Sequence, residues 1–297
     1  MTTTPSIPPR LNEPGRGILC ANGAMAIFAT QEVVFKWLST DYSILQLVFM
    51  RTWFALIPIT FFLMRAGGPR ILLTRQYPWL LLRGVIGFGA FYTFFSAIAL
   101  MPLADVSAIT FVSPLIVTAL SVPVLREKVG VHRWTAIAVG FVGVLIILRP
   151  GSDAFQIGAL FALASAALYS VSAVIVRSLS GREASAVVVF YTTCMFLVVS
   201  GSLQPRVWTD PPWHDVAIMA LTGLFGGVAQ FLLTQAYRFA PVSIIAPFDY
   251  SHILWATMYG YVVFADVPGT SVLIGAALVM AAGAYIAHRE TIKRKTP

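Results

Sequence analysis

Long, nearly continuous apolar runs follow one another along the chain from residue 17 to residue 287. A helix needs about 20 predominantly apolar residues to cross a bilayer. Runs such as residues 139–148 lack the every-second-residue alternation of barrel strands. The pattern therefore predicts an all-α integral membrane protein with ten transmembrane helices. The predicted spans comprise residues 17–38, 43–64, 77–99, 105–125, 132–149, 157–178, 185–203, 215–237, 242–264 and 269–287.

Composition supports this prediction and excludes several soluble classes. Of the 297 residues, 58% are hydrophobic and 11% are charged, and the mean hydropathy is +0.82. A soluble domain has about 25% charged residues. The two cysteines, Cys20 and Cys194, lie inside apolar runs, which excludes a disulfide-rich fold. Residues 1–15 are polar and rich in Pro and Thr, and they are predicted to form a disordered cytoplasmic tail that is not a signal peptide.

Basic residues are distributed very unevenly between the two sides of the predicted bundle. Fifteen of the 20 Lys and Arg residues lie in the tails or after the second, fourth, sixth and eighth spans, and three lie at the opposite ends. Because basic residues concentrate in cytoplasmic loops, both termini are predicted to be cytoplasmic, in a bacterial inner membrane. The formal charge of +8 then follows from topology and contact with anionic lipid, and no nucleic-acid partner is expected.

Faint self-similarity divides the spans into two groups of five. Since five is odd, the second group must enter the membrane from the opposite side, as in the inverted repeats of many secondary transporters. The predicted repeats cover residues 16–150 and 155–289, with a basic cytoplasmic tail at 290–297. The matching pairs are Lys36–Ser39 with Arg177–Ser180, Ala104–Ile109 with Ala240–Ile245, and Glu127–Gly130 with Asp266–Gly269.

Short motifs in both halves point to a known family. They comprise Phe49–Thr52, Leu82–Gly84, Pro102–Asp105, Ser113–Leu115, Leu125–Glu127, Gln235–Arg238 and Ala246–Tyr250. With these motifs the chain resembles the EamA-like branch of the drug/metabolite transporter superfamily over all ten spans. The resemblance implies a central cavity between the repeats, alternating access without ATP, and substrates such as amino acids, nucleosides or vitamins. Two positions depart from the family pattern: Asp266 replaces the usual Glu, and His252 replaces a small polar residue, which indicates an altered substrate or a proton-coupling site.

Arg51 is a charged residue near the middle of the second span. An unpaired Arg at that depth costs about 2.5–3.5 kcal/mol even on a lenient insertion scale. One hypothesis is that Arg51 anchors a carboxylate or another anion of the substrate, because guanidinium groups bind such groups bidentately. The other is a structural ion pair with Glu32 or Asp249. Both hypotheses remain open at this point.

Two further pairs of polar residues share a helix face. Asp249 and His252 are three residues apart in the ninth span. A carboxylate beside an imidazole can titrate near neutral pH, as a proton-coupled carrier requires, although helix packing alone would also explain the pair. Glu32 and Lys36 are four residues apart in the first span and are predicted to form an ion pair.

Other candidates for substrate contact lie deep in their spans. Gln230 and Thr234 share one face of the eighth span and are suited either to bind substrate or to join helices. Tyr92, Tyr191 and Trp255 each combine a flat ring with a polar group. Such residues line cavities or pack between helices, and we expect some of these three to stack on a planar substrate.

Proline and glycine residues indicate where helices bend and approach one another. Pro114 and Pro247 lie inside the fourth and ninth spans, which occupy matching positions in the two repeats. Each removes a backbone hydrogen bond, and paired kinks of this kind predict a gating role near the substrate site. Gly223 and Gly227 in the eighth span form a small-xxx-small pair that permits close helix contact.

The sequence contains none of the nucleotide-binding or metal-binding motifs that would indicate an enzyme, and no cofactor is predicted. We expect a secondary transporter for a small, planar or amphipathic metabolite, such as an aromatic amino acid, a flavin-like vitamin or a purine derivative. A lipid or lipid-linked sugar flippase is the alternative. The expected partners are the small-molecule substrate and the lipid bilayer, with proton coupling left open and the chain acting as a monomer or homodimer.

Overall fold

The computed structural model describes most of the chain, and every regular element within that part is helical. Predictions for Asp249, Pro247, the boundary between the repeats and most of the N-terminal tail fall outside the described residues. The described residues are 13–66, 68–125, 131–148, 157–179, 183–239, 245, 248 and 250–295. The prediction of an all-helical protein is therefore confirmed for these residues.

Twelve α-helices and one 3-10 turn, Gly68–Leu72, are found in the described part of the chain. Six segments are long and apolar enough to cross a membrane: α1, α2, α3, α4 taken with α5, α7 and α10. Helices α6, α8 and α12 contain shorter apolar stretches. The helices are α1 Pro14–Leu38, α2 Ile44–Ala66, α3 Tyr77–Leu100, α4 Leu103–Thr110, α5 Ser113–Leu125, α6 Val131–Leu148, α7 Ile157–Leu179, α8 Ser185–Ser202, α9 Gln204–Val207, α10 Trp213–Phe239, α11 Ser251–Phe264 and α12 Thr270–Lys295.

The fourth predicted span is two helices rather than one. A turn at Phe111 and Val112 separates α4 from α5, just before Pro114. Proline has no N–H to offer the carbonyl oxygen four residues earlier, which here belongs to Thr110. The Ser113 hydroxyl donates to that oxygen instead, at 2.6 Å. The span predicted at residues 105–125 corresponds to one apolar segment, Leu103–Val124, and its helix is interrupted just before the proline that was predicted to kink it.

Helices from the two halves of the chain interleave. The most extensive helix pairs are α3 with α7, α6 with α12, and α1 with α10, each joining one element from each half. The largest cluster of buried apolar side chains includes Phe35 of α1, Ile98 of α3, Ile109 of α4, Ala166 of α7 and Val279 of α12. The core therefore belongs to both halves.

Helix α10 packs closely against α2 along a row of glycines. A Cβ at Gly223 would meet the carbonyl oxygen of Arg51, and one at Gly227 would lie 2.5 Å from Pro58 Cγ. Only glycine leaves room for this approach of one helix to another. The predicted close contact at the Gly223 and Gly227 pair is confirmed.

The connections between helices that the ten-span prediction places on the non-cytoplasmic side contact one another. The Tyr42 hydroxyl donates to Asp215 at 2.5 Å, and Gln46 Nε2 donates to the Thr209 carbonyl oxygen, also at 2.5 Å. The hydrogen bond to Asp215 raises the pKa of Tyr42 to about 12. This hydrogen bond holds the end of α1 beside α10.

Contacts at the opposite side join the predicted cytoplasmic connections. The Thr74 hydroxyl donates to Glu183, and the Tyr191 hydroxyl donates to the Leu72 carbonyl oxygen at 3.0 Å. The backbone N–H of Glu13 donates to the Phe239 carbonyl oxygen at 3.0 Å. Each set of connections thus meets at one end of the bundle.

Replacing Gly223 by Ala should lower the midpoint of thermal unfolding in detergent by several degrees. The added Cβ would meet the α2 backbone and would lie 2.9 Å from Phe54 Cβ, and a helix backbone cannot move aside as a flexible side chain can. Gly23→Ala in α1 is the control, because its Cβ would make an ordinary contact with Leu232 Cδ1 at 3.7 Å. Equal midpoints for the two variants would contradict the close packing.

Candidate functional site

Buried and half-buried polar side chains from three helices form two adjacent contacts inside the bundle. Gln31 and Glu32 come from α1, Arg51 from α2 and His252 from α11. Gln31 and Glu32 are 4% and 5% exposed. We call these four residues the central polar cluster. Polar and charged groups buried within a membrane bundle typically mark a substrate or ion pathway.

Arg51 is held by an amide and an aromatic ring. Its Nη2 donates to Gln31 Oε1 at 3.4 Å, and its Cζ lies 4.7 Å from the centroid of the Phe91 ring. Arg51 Nε is buried and finds no hydrogen-bond partner in the described part of the chain. Among the described residues, no carboxylate lies within ion-pair distance of the guanidinium, so the hypothesis of an Arg51–Glu32 pair was wrong. The alternative partner, Asp249, lies outside the described residues.

Gln31 fixes the position of Arg51 relative to a third helix. Its Oε1 accepts from Arg51, while its Nε2 donates to the carbonyl oxygen of Thr222 in α10 at 3.2 Å. Gly226 lies beside both side chains, since a Cβ there would be 2.8 Å from Arg51 Nη2 and 3.2 Å from Gln31 Nε2. The amide therefore links α2 to α10 through α1.

Glu32 pairs with an imidazole from the other half of the chain. Its Oε1 lies 2.9 Å from His252 Nε2, and the two side chains are 7% and 14% exposed. Glu32 Oε2 is buried and has no hydrogen-bond partner among the residues that the structure describes. The predicted pair of Asp249 and His252 stays a prediction, because Asp249 lies outside the described residues.

The turn between α4 and α5 lies beside this pair, at the start of α11. Phe111, in the turn between α4 and α5, lies 5.1 Å from Tyr250 and 6.5 Å from His252, measured between ring centroids. Tyr250 and His252 flank the start of α11. Interrupted helices of this kind contribute to the binding sites of many transporters with inverted repeats.

Lys36 has partners other than Glu32. Its Nζ donates to Asp266 Oδ2 at 2.7 Å and to the Met101 carbonyl oxygen at 3.3 Å, and it lies 4.7 Å from the Phe264 ring centroid. The predicted Glu32–Lys36 pair was therefore wrong, because Glu32 pairs with His252 of α11 and Lys36 pairs with Asp266, just after α11. These contacts join the ends of α1, α3 and α11.

A left-handed residue positions Asp266. Ala265 has a φ of 56° and ends α11 with its N–H donating to the Tyr261 carbonyl oxygen at 3.0 Å. The N–H of Asp266 donates to the Gly260 carbonyl oxygen at 3.1 Å. This is a Schellman-type helix end, usually made by glycine. It turns the chain so that Asp266 reaches Lys36.

The other predicted site residues occupy several different places. Tyr92 stacks on Phe88 at 6.3 Å and Trp255 lies 5.8 Å from Tyr259, measured between ring centroids. Gln230 is exposed on α10. The Tyr191 hydroxyl donates to the Leu72 carbonyl oxygen at the predicted cytoplasmic end, a contact that joins helices rather than one that binds substrate.

Sequence reasoning missed Gln31 and Phe91. Gln31 is a polar residue inside an apolar span, and that position in the sequence could have identified it as a candidate. Phe91 is one of 21 phenylalanines and carries no local signal. It packs against Phe95 and Phe196, with ring centroids 4.5 and 5.4 Å away, which places an aromatic surface beside Arg51.

A membrane bundle with buried charges beside an interrupted helix is typical of secondary transporters. The chain belongs to the EamA-like transporter family, whose model matches residues 15–149 and again residues 156–287. The predicted resemblance is confirmed. The protein is a multi-pass membrane transporter rather than an enzyme, and it contains two EamA repeats.

Three relatives illustrate the range of transport within the family. A riboflavin transporter of Rhizobium johnstonii is 29% identical, with 96% of each chain covered. An S-adenosylmethionine uptake transporter of Rickettsia bellii is 25% identical, with 88% of this chain and 90% of the relative covered. A pseudopaline exporter of Pseudomonas aeruginosa is 29% identical, with coverage of 90% and 94%. The chain is thus similar to transporters of small metabolites.

A solved crystal structure supports the fold. It is 21% identical to this chain, covers 93% of it and 98% of its own length, and superposes with a TM-score of 0.61. At this identity the likeness extends to the arrangement of helices and to nothing more specific.

A double-mutant cycle should distinguish the two possible partners of Lys36. Lys36→Met and Asp266→Asn should show a coupling free energy of about 0.5–1 kcal/mol, because each removes the same partly exposed ion pair. The measurement is denaturant unfolding in detergent. Glu32→Gln combined with Lys36→Met serves as the comparison and should show weaker coupling. The reverse ranking would favour the ion pair within α1.

Proposed function

We propose that this protein is a secondary carrier that moves a small, planar or amphipathic metabolite across the bacterial inner membrane by alternating access. In this proposal ten helices form two inverted five-helix repeats, residues 16–150 and 155–289, with both termini in the cytoplasm. The excess of basic residues on one side supports this orientation. Connections predicted to lie on the same side of the membrane contact one another, which supports the predicted assignment of each connection to its side.

Arg51 carries the proposal. A guanidinium buried beside an amide, with no carboxylate from the described residues near it, is suited to bind an acidic or carbonyl group that arrives with the substrate. The Phe91 ring lies 4.7 Å from Arg51 Cζ and offers an apolar surface for a flat ring. The names of the relatives that transport riboflavin and S-adenosylmethionine support a substrate with a heteroaromatic ring.

The pair of Glu32 and His252 is our candidate for proton coupling. It joins α1 to α11 across the two halves, so its contact depends on how the halves are arranged. Adding a proton to this pair would change its net charge and its hydrogen bond, and this would change the relative stability of the two arrangements. Lys36, one turn further along α1, is engaged by Asp266, which leaves His252 as the described partner of Glu32.

The direction of transport depends on the coupled gradient. The relatives include an uptake transporter and an exporter, which supports a common mechanism that operates in either direction. A carrier without nucleotide hydrolysis moves its substrate down the combined gradient of substrate and coupling ion.

Uptake into proteoliposomes containing purified protein tests the proposal directly. We expect saturable uptake of one member of a panel of labelled aromatic amino acids, purine derivatives, S-adenosylmethionine and riboflavin. Arg51→Ala should reduce kcat/KM at least about tenfold, equivalent to about 1.4 kcal/mol of lost binding. Arg65→Ala, at the exposed end of the same helix, is the matched control and should leave uptake unchanged. Absence of uptake across the panel, followed by activity in a lipid-scrambling assay, would favour a flippase.

Removing the Glu32 carboxylate should abolish the effect of an imposed pH gradient on that uptake. Glu32→Gln retains the shape of the side chain but can no longer exchange a proton, so uptake should become equal with and without the gradient. The control is Glu13→Gln, whose exposed carboxylate pairs with Arg16 at the start of α1. A Glu32→Gln protein that still responds fully to the gradient would exclude Glu32 as the coupling group.

A further inference from the structure

Arg51 faces an amide at the position where a carboxylate of nearly the same shape would complete an ion pair. Gln31 Oε1 lies 3.4 Å from Arg51 Nη2, and Gln31 is 4% exposed. No carboxylate of the described residues lies within ion-pair distance, and Arg51 Nε is buried without a partner. The positive charge is therefore unbalanced within the described part of the chain.

The carboxylate that could balance this charge stands next to Gln31 but is engaged elsewhere. Glu32 Oε1 lies 2.9 Å from His252 Nε2. Successive residues of a helix point about 100° apart, so α1 directs its carboxylate toward α11 and its amide toward α2 and α10. The order of these two residues, rather than a lack of acidic groups, leaves Arg51 beside a neutral partner.

We propose that Gln31 determines the charge specificity of the substrate site. An amide stands opposite Arg51, and no carboxylate of the described residues pairs with it. In this proposal the substrate supplies the counter-charge and therefore carries a carboxylate or another acidic group. This inference rests on the proposed transport function and narrows its substrate class. Gln31 acts as a positioning and specificity-determining residue, while Arg51 contacts the acidic group and the Phe91 side of the site accommodates the apolar body.

A glutamate at position 31 would supply the counter-charge permanently. The Arg51 guanidinium would then already be paired, and an incoming acidic group would have to compete with a fixed carboxylate. Buried charges are strongly sensitive to the presence of a partner. The arrangement seen here therefore lowers the stability of the empty carrier and leaves the binding capacity of Arg51 available to substrate, a frequent compromise at functional sites.

Two variants of Gln31 with side chains of similar size distinguish the effect of charge at Arg51 from the effect of side-chain shape, and the comparison needs no ligand. Gln31→Glu and Gln31→Met both remove the hydrogen bond from Gln31 Nε2 to Thr222, but only the Glu variant supplies a negative charge to Arg51. We expect the Glu variant to unfold several degrees above the Met variant in thermal melts of the purified, empty protein. A Glu variant that is no more stable than the Met variant would overturn the proposal, since Arg51 would then already have a counter-charge, for example Asp249.

Uptake of a matched pair of probes tests the specificity itself. Labelled tryptophan and tryptamine differ by the carboxylate, and the proposal expects wild-type protein to take up tryptophan in preference to tryptamine. Gln31→Glu should raise the KM for tryptophan about tenfold or more, whereas Gln31→Met should raise it only a few-fold. Preference for tryptamine, or uptake of neutral riboflavin alone, would overturn the inference while leaving the transport function intact. Wild-type protein that moves no compound of the wider panel would instead count against the transport function, and the thermal comparison would still decide the charge at Arg51.

Discussion

Placing a guanidinium inside a helix bundle surrounded by lipid costs at least about 2.5–3.5 kcal/mol unless it is paired or solvated. Arg51 meets this constraint only in part, through one long hydrogen bond to Gln31 and the face of Phe91. The surrounding helices are arranged to keep these two partners in place. The charge is consequently both the costliest feature of the central polar cluster and the one best suited to bind a ligand.

Helix α1 connects this constraint to the rest of the molecule. It contributes Gln31 to the contact with α2 and α10, Glu32 to the contact with α11, and Lys36 to the contact with Asp266 beyond α11. Three polar contacts therefore leave one helix within six residues and reach both halves of the chain. Any rearrangement of the halves that exposes the cluster to the other side of the membrane must alter at least one of them.

Much of the fold could be predicted because hydrocarbon imposes simple rules on helix length and side-chain polarity. Apolar runs of about 20 residues located the helices, and Pro114 marked the interruption of the fourth span. The partners of buried charges could not be predicted in the same way. Glu32 and Lys36 have the spacing of a helical ion pair, yet their partners lie 220 and 230 residues away in the chain. Local spacing gives no information about which distant helix supplies a competing group.

The glycines of α10 link the packing of the bundle to the chemistry of the cluster. Gly223 and Gly227 allow α10 to approach α2, and this approach brings the Thr222 carbonyl oxygen to 3.2 Å from Gln31 Nε2. Between them, Gly226 leaves space for the Arg51 guanidinium, which a Cβ would meet at 2.8 Å. A larger residue at this position would displace Arg51 or Gln31, so the requirement for small residues extends from helix packing to the polar site. The motif that permits close packing also sets the position of the charge, and the two cannot vary independently.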